Sequence, residues 1–208
     1  MWDSIGQQAS NVIWTASDGT PELLVSAQMS LFSYDGYWPT VFRVNVENGR
    51  RRVAEGPRED VMNWYADASG QVRTGIGYND TNRTFRLIYR AAGEKAMRTI
   101  DRADTRKGET LLYPFHYLPG GNNALAMHDD EKGMTAVYEV DILTQKDIAT
   151  RFAAPAGHEV TGVRMSYDGT TVLGYGTTEG HGKVHWQDPA LAEIQAALEK
   201  SVPDRRVR

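Results

Sequence analysis

The sequence has no cysteine, no hydrophobic run long enough to cross a membrane as a helix, and only 8 prolines in 208 residues. The missing cysteines exclude disulfides, thiolate metal ligands and a cysteine nucleophile. The first eight residues lack the basic and apolar stretches of a signal peptide, so we expect a soluble chain. With 23 basic and 27 acidic residues the net charge is −4, which disfavours nucleic acid and anionic lipid as partners.

Glycine and aromatic residues are plentiful, with 20 glycines, 10 tyrosines and 5 tryptophans. Four glycine turns follow aromatic or apolar strand ends and finish at Gly19, Gly70, Gly121 and Gly169, at intervals of 51, 51 and 48 residues. A period near fifty with turns at a constant phase is typical of four-stranded propeller blades. The predicted fold class is all-β: a partial β-propeller of about four antiparallel blades with one short C-terminal helix.

Three segments between these turns, residues 41–49, 85–93 and 135–142, alternate apolar and polar side chains as half-buried strands do. We interpret them as the outer strands of blades spanning 11–49, 60–93 and 111–145, with a fourth blade starting at 160–187. The charged stretches 50–52 and 101–109 are predicted to be solvated links between blades.

The last part of the chain has a helix pattern. Asp188 is a candidate N-cap, Pro189 follows at the first helical position, and Leu191, Ile194 and Leu198 share one face. We therefore divide the chain into propeller blades at 1–187 and, at 188–203, a short amphipathic helix with the start of a passage to a next blade. So short a helix needs a surface on which to dock.

No catalytic, cofactor-binding or metal-binding residue is predicted. None of the serines lies in a G-x-S-x-G motif, so this chain lacks that hydrolase centre. Asp18, Asp67 and Asp168 lie at the repeated turns, where a carboxylate bonding its own backbone explains them. His181 and His185, four apart on a strand, are too far apart to share zinc unless the chain bends.

Two further patterns have an ordinary structural explanation. Residues 128–131, His-Asp-Asp-Glu, are interpreted as a charged hairpin tip, because consecutive side chains of an extended segment point in opposite directions. The Gly-x-Gly pairs at 75–77 and 174–176 lack the third glycine and the following helix of a dinucleotide loop. In strands, such glycines mark bulges or close backbone approach.

The ordered motifs resemble a known family. NVIW at 11–14, VFRVNVENGR at 41–50, WYADASGQVRTG at 64–75 and LIYR at 87–90 resemble the propeller of bacterial prolyl oligopeptidase-family serine peptidases. WQDPAL at 186–191, with IQAAL at 194–198 and VP at 202–203, is similar to a short helix in the propeller of an acylaminoacyl or dipeptidyl peptidase-like branch.

The resemblance implies a noncatalytic propeller portion that gates and selects peptide substrates for an α/β-hydrolase domain that these 208 residues do not include. It implies that domain and peptide substrates as partners, no cofactor, and a bacterial cytoplasm or periplasm. The alternative is a free-standing binding module in which Tyr37, Trp38, Trp64 and Tyr78 present an aromatic surface, although such large side chains also suit core or interblade packing.

Overall fold

A computed structural model describes residues 11–202, apart from the side chain of Asp35. Two parts of the chain used in the sequence analysis lie outside these described residues: the first eight residues, and Pro203 with the basic residues after it. The secondary structure is mostly strand. The elements are β1 (Asn11–Thr15), β2 (Glu22–Ala27), α1 (Tyr34–Tyr37), β3 (Thr40–Asn45), β4 (Arg51–Glu55), β5 (Val61–Ala66), β6 (Val72–Asn79), β7 (Thr84–Tyr89), β8 (Arg98–Asp104), β9 (Pro114–Tyr117), β10 (Asn123–Asp129), β11 (Thr135–Asp141), β12 (Lys146–Phe152), β13 (Val160–Met165), β14 (Val172–Thr177), β15 (Lys183–Trp186) and α2 (Pro189–Ser201).

The strands form four antiparallel sheets in chain order. The orders are β1-β2-β3-β4, β5-β6-β7-β8, β9-β10-β11-β12 and the three-stranded β13-β14-β15. Every pairing joins strands that follow one another along the chain, which is the up-and-down order of propeller blades. The all-β prediction, with four blades and one C-terminal helix, is confirmed.

The predicted outer strands and links need correction. Residues 41–49, 85–93 and 135–142 contribute β3, β7 and β11, which are third rather than outer strands. The supposed links 50–52 and 101–109 contribute to β4 and β8, which are the fourth strands. The edge strands β4 and β12 are largely exposed, whereas β8 is mostly half-buried, and charged exposed edges resist pairing with other chains.

The described chain divides into two compact units: residues 1–111 with 120–122, and residues 112–119 with 123–208. The first unit holds the first two sheets. Its main core cluster joins Leu24 and Val41 of the first sheet to Val61, Trp64 and Ile88 of the second, all 4% exposed or less. Residues far apart in sequence thus pack into one apolar layer.

The second unit holds the last two sheets and α2. Its core cluster centres on Leu125, Val137 and Val160, with Phe152 and Tyr175 packed against it. The rings of Phe152 and Tyr175 stack with centroids 4.9 Å apart, and Tyr175 stacks on His185 at 5.0 Å. The two sheets of this unit therefore share aromatic as well as aliphatic contacts.

The C-terminal helix forms as predicted. The Asp188 carboxylate accepts hydrogen bonds from the backbone N–H groups of Ala190 at 2.8 Å and Leu191 at 3.2 Å, and Pro189 opens the helix. The predicted docking of its apolar face is only partial, since Ile194 is 55% and Leu198 46% exposed. Its contacts are with β15 of the same unit.

Candidate functional site

The first two sheets meet through Trp14 of β1, which rests on the first turn of the second sheet. The indole Nε1 donates a hydrogen bond to the Ala68 carbonyl at 3.0 Å. A Cβ atom added to Gly70 would lie 2.8 Å from the Trp14 ring, and Gly70 has a φ of 76°. Glycine is required here both for its backbone conformation and for the space that the ring occupies.

Arg43 of β3 reinforces this contact. Its Nη2 donates to the Gly70 carbonyl at 2.6 Å and its Nη1 to the Glu22 carboxylate at 3.0 Å. The guanidinium also lies 4.9 Å from the Trp14 ring centroid, in cation–π contact. One side chain thus connects Glu22 and Trp14 of the first sheet to Gly70 of the second.

A buried carboxylate lies at the same junction. Glu55, at the end of β4, is 8% exposed and accepts from Arg58 at 3.0 Å and from Arg90. Arg90 follows β7 and also donates to the Val72 carbonyl at 2.8 Å and the Lys95 carbonyl at 3.0 Å. A carboxylate removed from water needs such charged partners, so this cluster fixes the position of the first sheet on the second.

The turn residues 120–122 pack with the first unit in a related way. Arg73 of β6 donates to the Gly121 carbonyl at 3.2 Å and to the Tyr89 hydroxyl. The Asn122 side-chain oxygen accepts from the Tyr89 hydroxyl at 3.2 Å and from the Ala92 N–H at 2.8 Å. The turn at residues 120–122 thus supplies hydrogen-bond acceptors to buried polar groups of the second sheet. The Gly70 carbonyl does the same for Arg43.

A small pocket lies where β1 and the end of β2 face β5. Its cavity volume is about 20 Å³, room for about one water molecule, and it is lined by Asn11, Ser26, Gln28, Pro39, Met62, Asn63 and Trp64. The lining combines amide and hydroxyl groups with apolar surface, and none of the seven residues is charged. A pocket of this size and polarity suits one water molecule.

The connection between β2 and β3 lies beside this pocket and exposes aromatic side chains. Phe32 is 94%, Tyr34 67% and Tyr37 40% exposed. A hydrogen bond with Glu59 raises the pKa of Tyr34, which ties the connection to the segment before β5. Exposed aromatic side chains close together in sequence are a feature of contact surfaces.

A second, more open groove of about 290 Å³ crosses the same junction. Arg43, Arg52 and Arg90 line it together with the backbone of residues 69–72. The guanidinium groups of Arg43 and Arg90 already bind Glu22 and Glu55, respectively. The positive charge of the groove is therefore used largely to hold the sheets together.

The turn aspartates act on their own backbone, as predicted. Asp18 accepts from the Thr20 N–H at 3.0 Å, Asp67 from the Ser69 N–H at 3.0 Å, and Asp168 from the Thr170 N–H at 3.1 Å. Hydrogen bonds from Thr20 lower the pKa of Asp18, and one from the Ser166 hydroxyl lowers that of Asp168. In the third turn the glycine with positive φ is Gly120, at 81°, rather than Gly121.

Two of the five histidines form hydrogen-bonded pairs with carboxylates. His185 Nε2 lies 2.8 Å from Glu179, and His128 Nε2 lies 3.0 Å from Asp147. Burial alone would raise the pKa of Glu179, but the hydrogen bond and charge of His185 outweigh it and lower that pKa. His181 lies before β15, outside the strand predicted to hold both histidines.

The sequence 128–131 forms the end of β10 and the hairpin turn, as predicted. Asp130 accepts from the backbone N–H groups of Lys132 at 2.8 Å and Met134 at 2.9 Å, and these bonds lower its pKa. Within residues 11–202, no three His, Asp or Glu side chains group as metal ligands.

The Gly-x-Gly pairs lie inside strands, as expected for close approach. A Cβ atom on Gly75 would lie 2.7 Å from the Trp64 ring, and one on Gly77 would lie 2.6 Å from the Asp60 carbonyl. A Cβ atom on Gly174 would lie 2.9 Å from both the His185 carbonyl and the Trp186 ring. These glycines admit neighbouring groups and hold no nucleotide phosphate loop.

The aromatic surface predicted for the binding-module alternative is only partly present. Trp64 is 2% exposed and belongs to the core, where its Nε1 donates to the Pro39 carbonyl at 3.0 Å. Tyr78 packs on Phe85 with centroids 4.7 Å apart. Tyr37 is exposed, and Trp38 stands edge-on to it at 4.9 Å. Sequence reasoning missed Phe32 and Tyr34, whose position in a polar, turn-rich segment was the available signal.

Ser166 lies in the turn before Gly169, where its hydroxyl has local partners. The Ser166 hydroxyl donates to Asp168 at 2.5 Å and accepts from the Thr171 N–H at 3.0 Å, so it serves the turn. In the part of the chain that the structure describes, no helix has the length and apolar character needed to span a bilayer.

Comparison with solved structures finds two peptidases. The β-propeller domain of the Trilobed protease from Pyrococcus furiosus, described as having an open velcro topology, matches 80% of this chain and 54% of its own at 10% identity and a TM-score of 0.41. The acylaminoacyl peptidase from Pyrococcus horikoshii matches 80% of this chain and 31% of its own, also at 10% identity and 0.41.

The chain thus spans about half of the first matched structure and about a third of the second. One neighbour is the β-propeller domain of a protease and the other is an acylaminoacyl peptidase, and at 10% identity both are likenesses of fold alone. No family model and no curated protein matches the sequence. The predicted acylaminoacyl or dipeptidyl peptidase-like branch and the bacterial origin stay predictions.

Proposed function

We propose that the chain is the noncatalytic propeller portion of a prolyl oligopeptidase-family serine peptidase, and that it gates and selects peptide substrates for an α/β-hydrolase domain. The observation that carries the proposal is the position of the resembling motifs in the fold. NVIW supplies residues to β1, VFRVNVENGR to β3 and the turn after it, WYADASGQVRTG to β5 and β6, and LIYR to β7. The resemblance thus follows the blade order of the sheets.

The junction of the first two sheets supports a selecting role. Selection by shape requires walls that keep their form when substrates of different size press on them. Trp14 on Gly70, the Arg43 contacts and the buried Glu55 cluster provide such rigidity without any reactive group. Substrates would then be sorted by size and shape, while bond cleavage takes place on the hydrolase domain.

The first test is a hydrolysis assay with this chain alone. Chromogenic dipeptide and acyl-amino-acid substrates should show no turnover above buffer, because the chain has no G-x-S-x-G nucleophile. Clear turnover that co-purifies with the folded chain would contradict the proposal.

The second test addresses gating in the protein encoded by the whole reading frame. We expect that frame to encode a G-x-S-x-G motif, and the intact protein to cleave short peptides in preference to the same sequence embedded in a folded protein. Removing the propeller should abolish that size preference while the catalytic serine still reacts with a small fluorophosphonate. Retention of the preference would exclude gating.

A free-standing binding module is the second candidate, and the exposed Phe32, Tyr34 and Tyr37 favour it. These rings form a contact surface that needs no catalytic domain. A stop codon directly after residue 208 would support this candidate, whereas continuation into a hydrolase sequence would support the peptidase.

A further inference from the structure

A groove beside β7 in the first unit is lined by an arginine for which the described residues provide no anionic partner. The groove has a volume of about 310 Å³, and its lining residues are Arg58, Glu59, Arg86, Ile88, Met97 and Thr99. Arg86 lies on β7 and is half-buried. Its Nη2 donates to the Glu59 carbonyl at 2.6 Å, and its Nε is buried without an acceptor among the described residues. We call this site the Arg86 groove.

The carboxylates at the end of β4 and in the segment before β5 have other partners. These partners are Arg58 and Arg90 for Glu55, the Tyr34 hydroxyl for Glu59, and the Asn79 amide for Asp60. Glu55 alone faces two guanidinium groups, so its single negative charge is already shared. This segment therefore supplies Arg86 with a backbone carbonyl and no counter-charge.

Strand β8, which pairs with β7, adds a second arginine to the same face. Arg102 lies in register with Arg86, and cross-strand partners have their side chains on one side of a sheet. The Asp101 carboxylate accepts from the Arg102 backbone N–H at 2.7 Å, and Asp104 pairs with Arg106 at 2.7 Å. The positive charge around Arg86 is thus not balanced by any carboxylate that the structure describes.

A half-buried guanidinium favours an anion, because water can accept its hydrogen bonds but cannot neutralise its charge. The planar fork of arginine matches the two oxygens of a carboxylate. The Thr99 hydroxyl can donate to the same group, and Met97 and Ile88 line an apolar side of the groove. A volume of about 310 Å³ is within the range of small-molecule sites.

We propose that the Arg86 groove binds an organic carboxylate with an aliphatic chain. The carboxylate pairs with the Arg86 guanidinium and accepts from the Thr99 hydroxyl, and the chain lies along the side lined by Met97 and Ile88. A free acid and the C terminus of a peptide share this chemistry. The inference goes beyond the proposed function, because it concerns residues of the first unit alone and needs no hydrolase domain.

The test uses nuclear magnetic resonance of the full chain labelled at its methionine methyl groups, with Met97 as reporter because it lines the groove. The probes are 4-methylpentanoate and 4-methylpentanamide, which have the same shape and differ in charge. The carboxylate should shift the Met97 signal saturably, and the amide should bind about tenfold more weakly. Equal affinity for the two probes, or no saturable shift with the carboxylate, would overturn the proposal. Inorganic phosphate that binds as tightly as 4-methylpentanoate would also overturn it, because the aliphatic chain would then contribute nothing.

Two variants identify the residue responsible. Arg86→Gln removes the charge and the fork, so it should weaken 4-methylpentanoate binding about tenfold. Arg52→Gln is the matched control, because Arg52 is an exposed arginine of the same unit that lies outside the Arg86 groove, and its loss changes the net charge equally. This control should bind the probe as the unaltered chain does. Unchanged affinity in Arg86→Gln, or an equal loss in both variants, would overturn the assignment.

If Arg86→Gln does not fold, Thr99→Val replaces it, since Thr99 is exposed on β8 and valine keeps its shape without the hydroxyl. This variant should weaken 4-methylpentanoate binding about threefold, and unchanged affinity would overturn the proposed carboxylate position.

Acetyl-alanyl-leucine and its C-terminal amide distinguish the two sources of the carboxylate. Tighter binding of the peptide acid than of 4-methylpentanoate would support a peptide C terminus as the ligand, whereas equal or weaker binding would support a free acid. Equal affinity for the peptide acid and its amide would overturn recognition of the carboxylate.

Discussion

Single residues at the junction of the first two sheets combine backbone and side-chain requirements. Gly70 has a positive φ and also lies under Trp14. Gly19, in the corresponding turn of the first sheet, has a φ of 86°, and a Cβ atom added there would have no neighbouring atom within 4 Å. Alanine substitutions at Gly19 and Gly70 therefore distinguish the effect of backbone strain on the free energy of unfolding from the effect of a steric clash with Trp14.

We expect Gly19→Ala to lower the free energy of unfolding by about 1 kcal/mol, because alanine tolerates positive φ poorly. Gly70→Ala should cost that amount and about 1 to 3 kcal/mol more, because its methyl group displaces the Trp14 ring. Urea unfolding monitored by tryptophan fluorescence measures both. Equal losses of unfolding free energy in the two variants would show that the Trp14 ring does not restrict the size of the side chain at position 70.

His116 of β9 gives the stability a pH dependence. Burial lowers its pKa below the ordinary 6.5. The unfolded chain therefore takes up a proton first as the pH falls, so stability decreases from about pH 6.5 down through the folded pKa and is constant in this respect above and below that window. His116→Gln should remove this decrease. Unfolding free energies at pH 8, 6.5 and 5.5 test it, and a wild-type minus variant difference that does not change with pH would contradict it.

Much at this scale was predictable from the sequence. Asp18, Asp67 and Asp168 bond their own turns because a short carboxylate reaches backbone N–H groups two residues on, whatever the rest of the fold does. The burial of Gln28 Oε1 without a partner among the described residues was not predictable, because it depends on Tyr37 and on a second sheet. Hydrogen bonds within a turn follow from the residues of that turn, whereas the burial of a side chain depends on segments that are distant in sequence.

At the scale of elements, the strands with apolar alternation were found and the exposed ones were missed. β3, β7 and β11 each have one face in a core, which imposes a period of two on the sequence. β4 and β12 read RRVAE and KDIATRF and are largely exposed, so no such period is imposed. Their neighbours in the sheet, rather than their own composition, make them strands.

The helix α2 was predicted from its cap, which gives a direct test. Asp188→Ala should destabilise the helix by about 1 kcal/mol, because two backbone N–H groups lose their acceptor. Faster amide hydrogen exchange at Ala190 and Leu191 measures the effect. Glu193→Ala, an exposed change inside the same helix, is the control and should leave those exchange rates nearly unchanged. An equal increase in both variants would contradict the capping role.

At the scale of the whole molecule, contacts between sheets are nonlocal and were not predicted. Glu55 joins the first sheet to Arg90, 35 residues later, and sequence reasoning treated the segment just before it, 50–52, as a solvated link. The repeat itself was correctly predicted, because the turns recur at a constant phase. The pairing of charges across the sheets requires coordinates.

Removing this carboxylate should therefore have a large effect. Glu55→Gln leaves the buried Arg90 guanidinium without its charged partner, and we expect a loss of about 3 kcal/mol in the free energy of unfolding. Glu94→Gln is the matched control, because Glu94 meets Arg98 at 3.9 Å with both side chains about half exposed, and should cost less than about 1 kcal/mol. Similar losses of unfolding free energy in the two variants would show that Glu55 contributes no more to stability than the exposed Glu94.

The turn residues 120–122 have a practical consequence for dividing the protein. Arg73, Tyr89 and Ala92 of the second sheet find acceptors on Gly121 and Asn122, although the strands on either side of this turn belong to the next sheet. A fragment that ends at residue 111 would retain every strand of the first two sheets. It would nevertheless lack the acceptors on Gly121 and Asn122. Fragments that extend through Asn122 should therefore give more soluble protein on expression than fragments that end at residue 111.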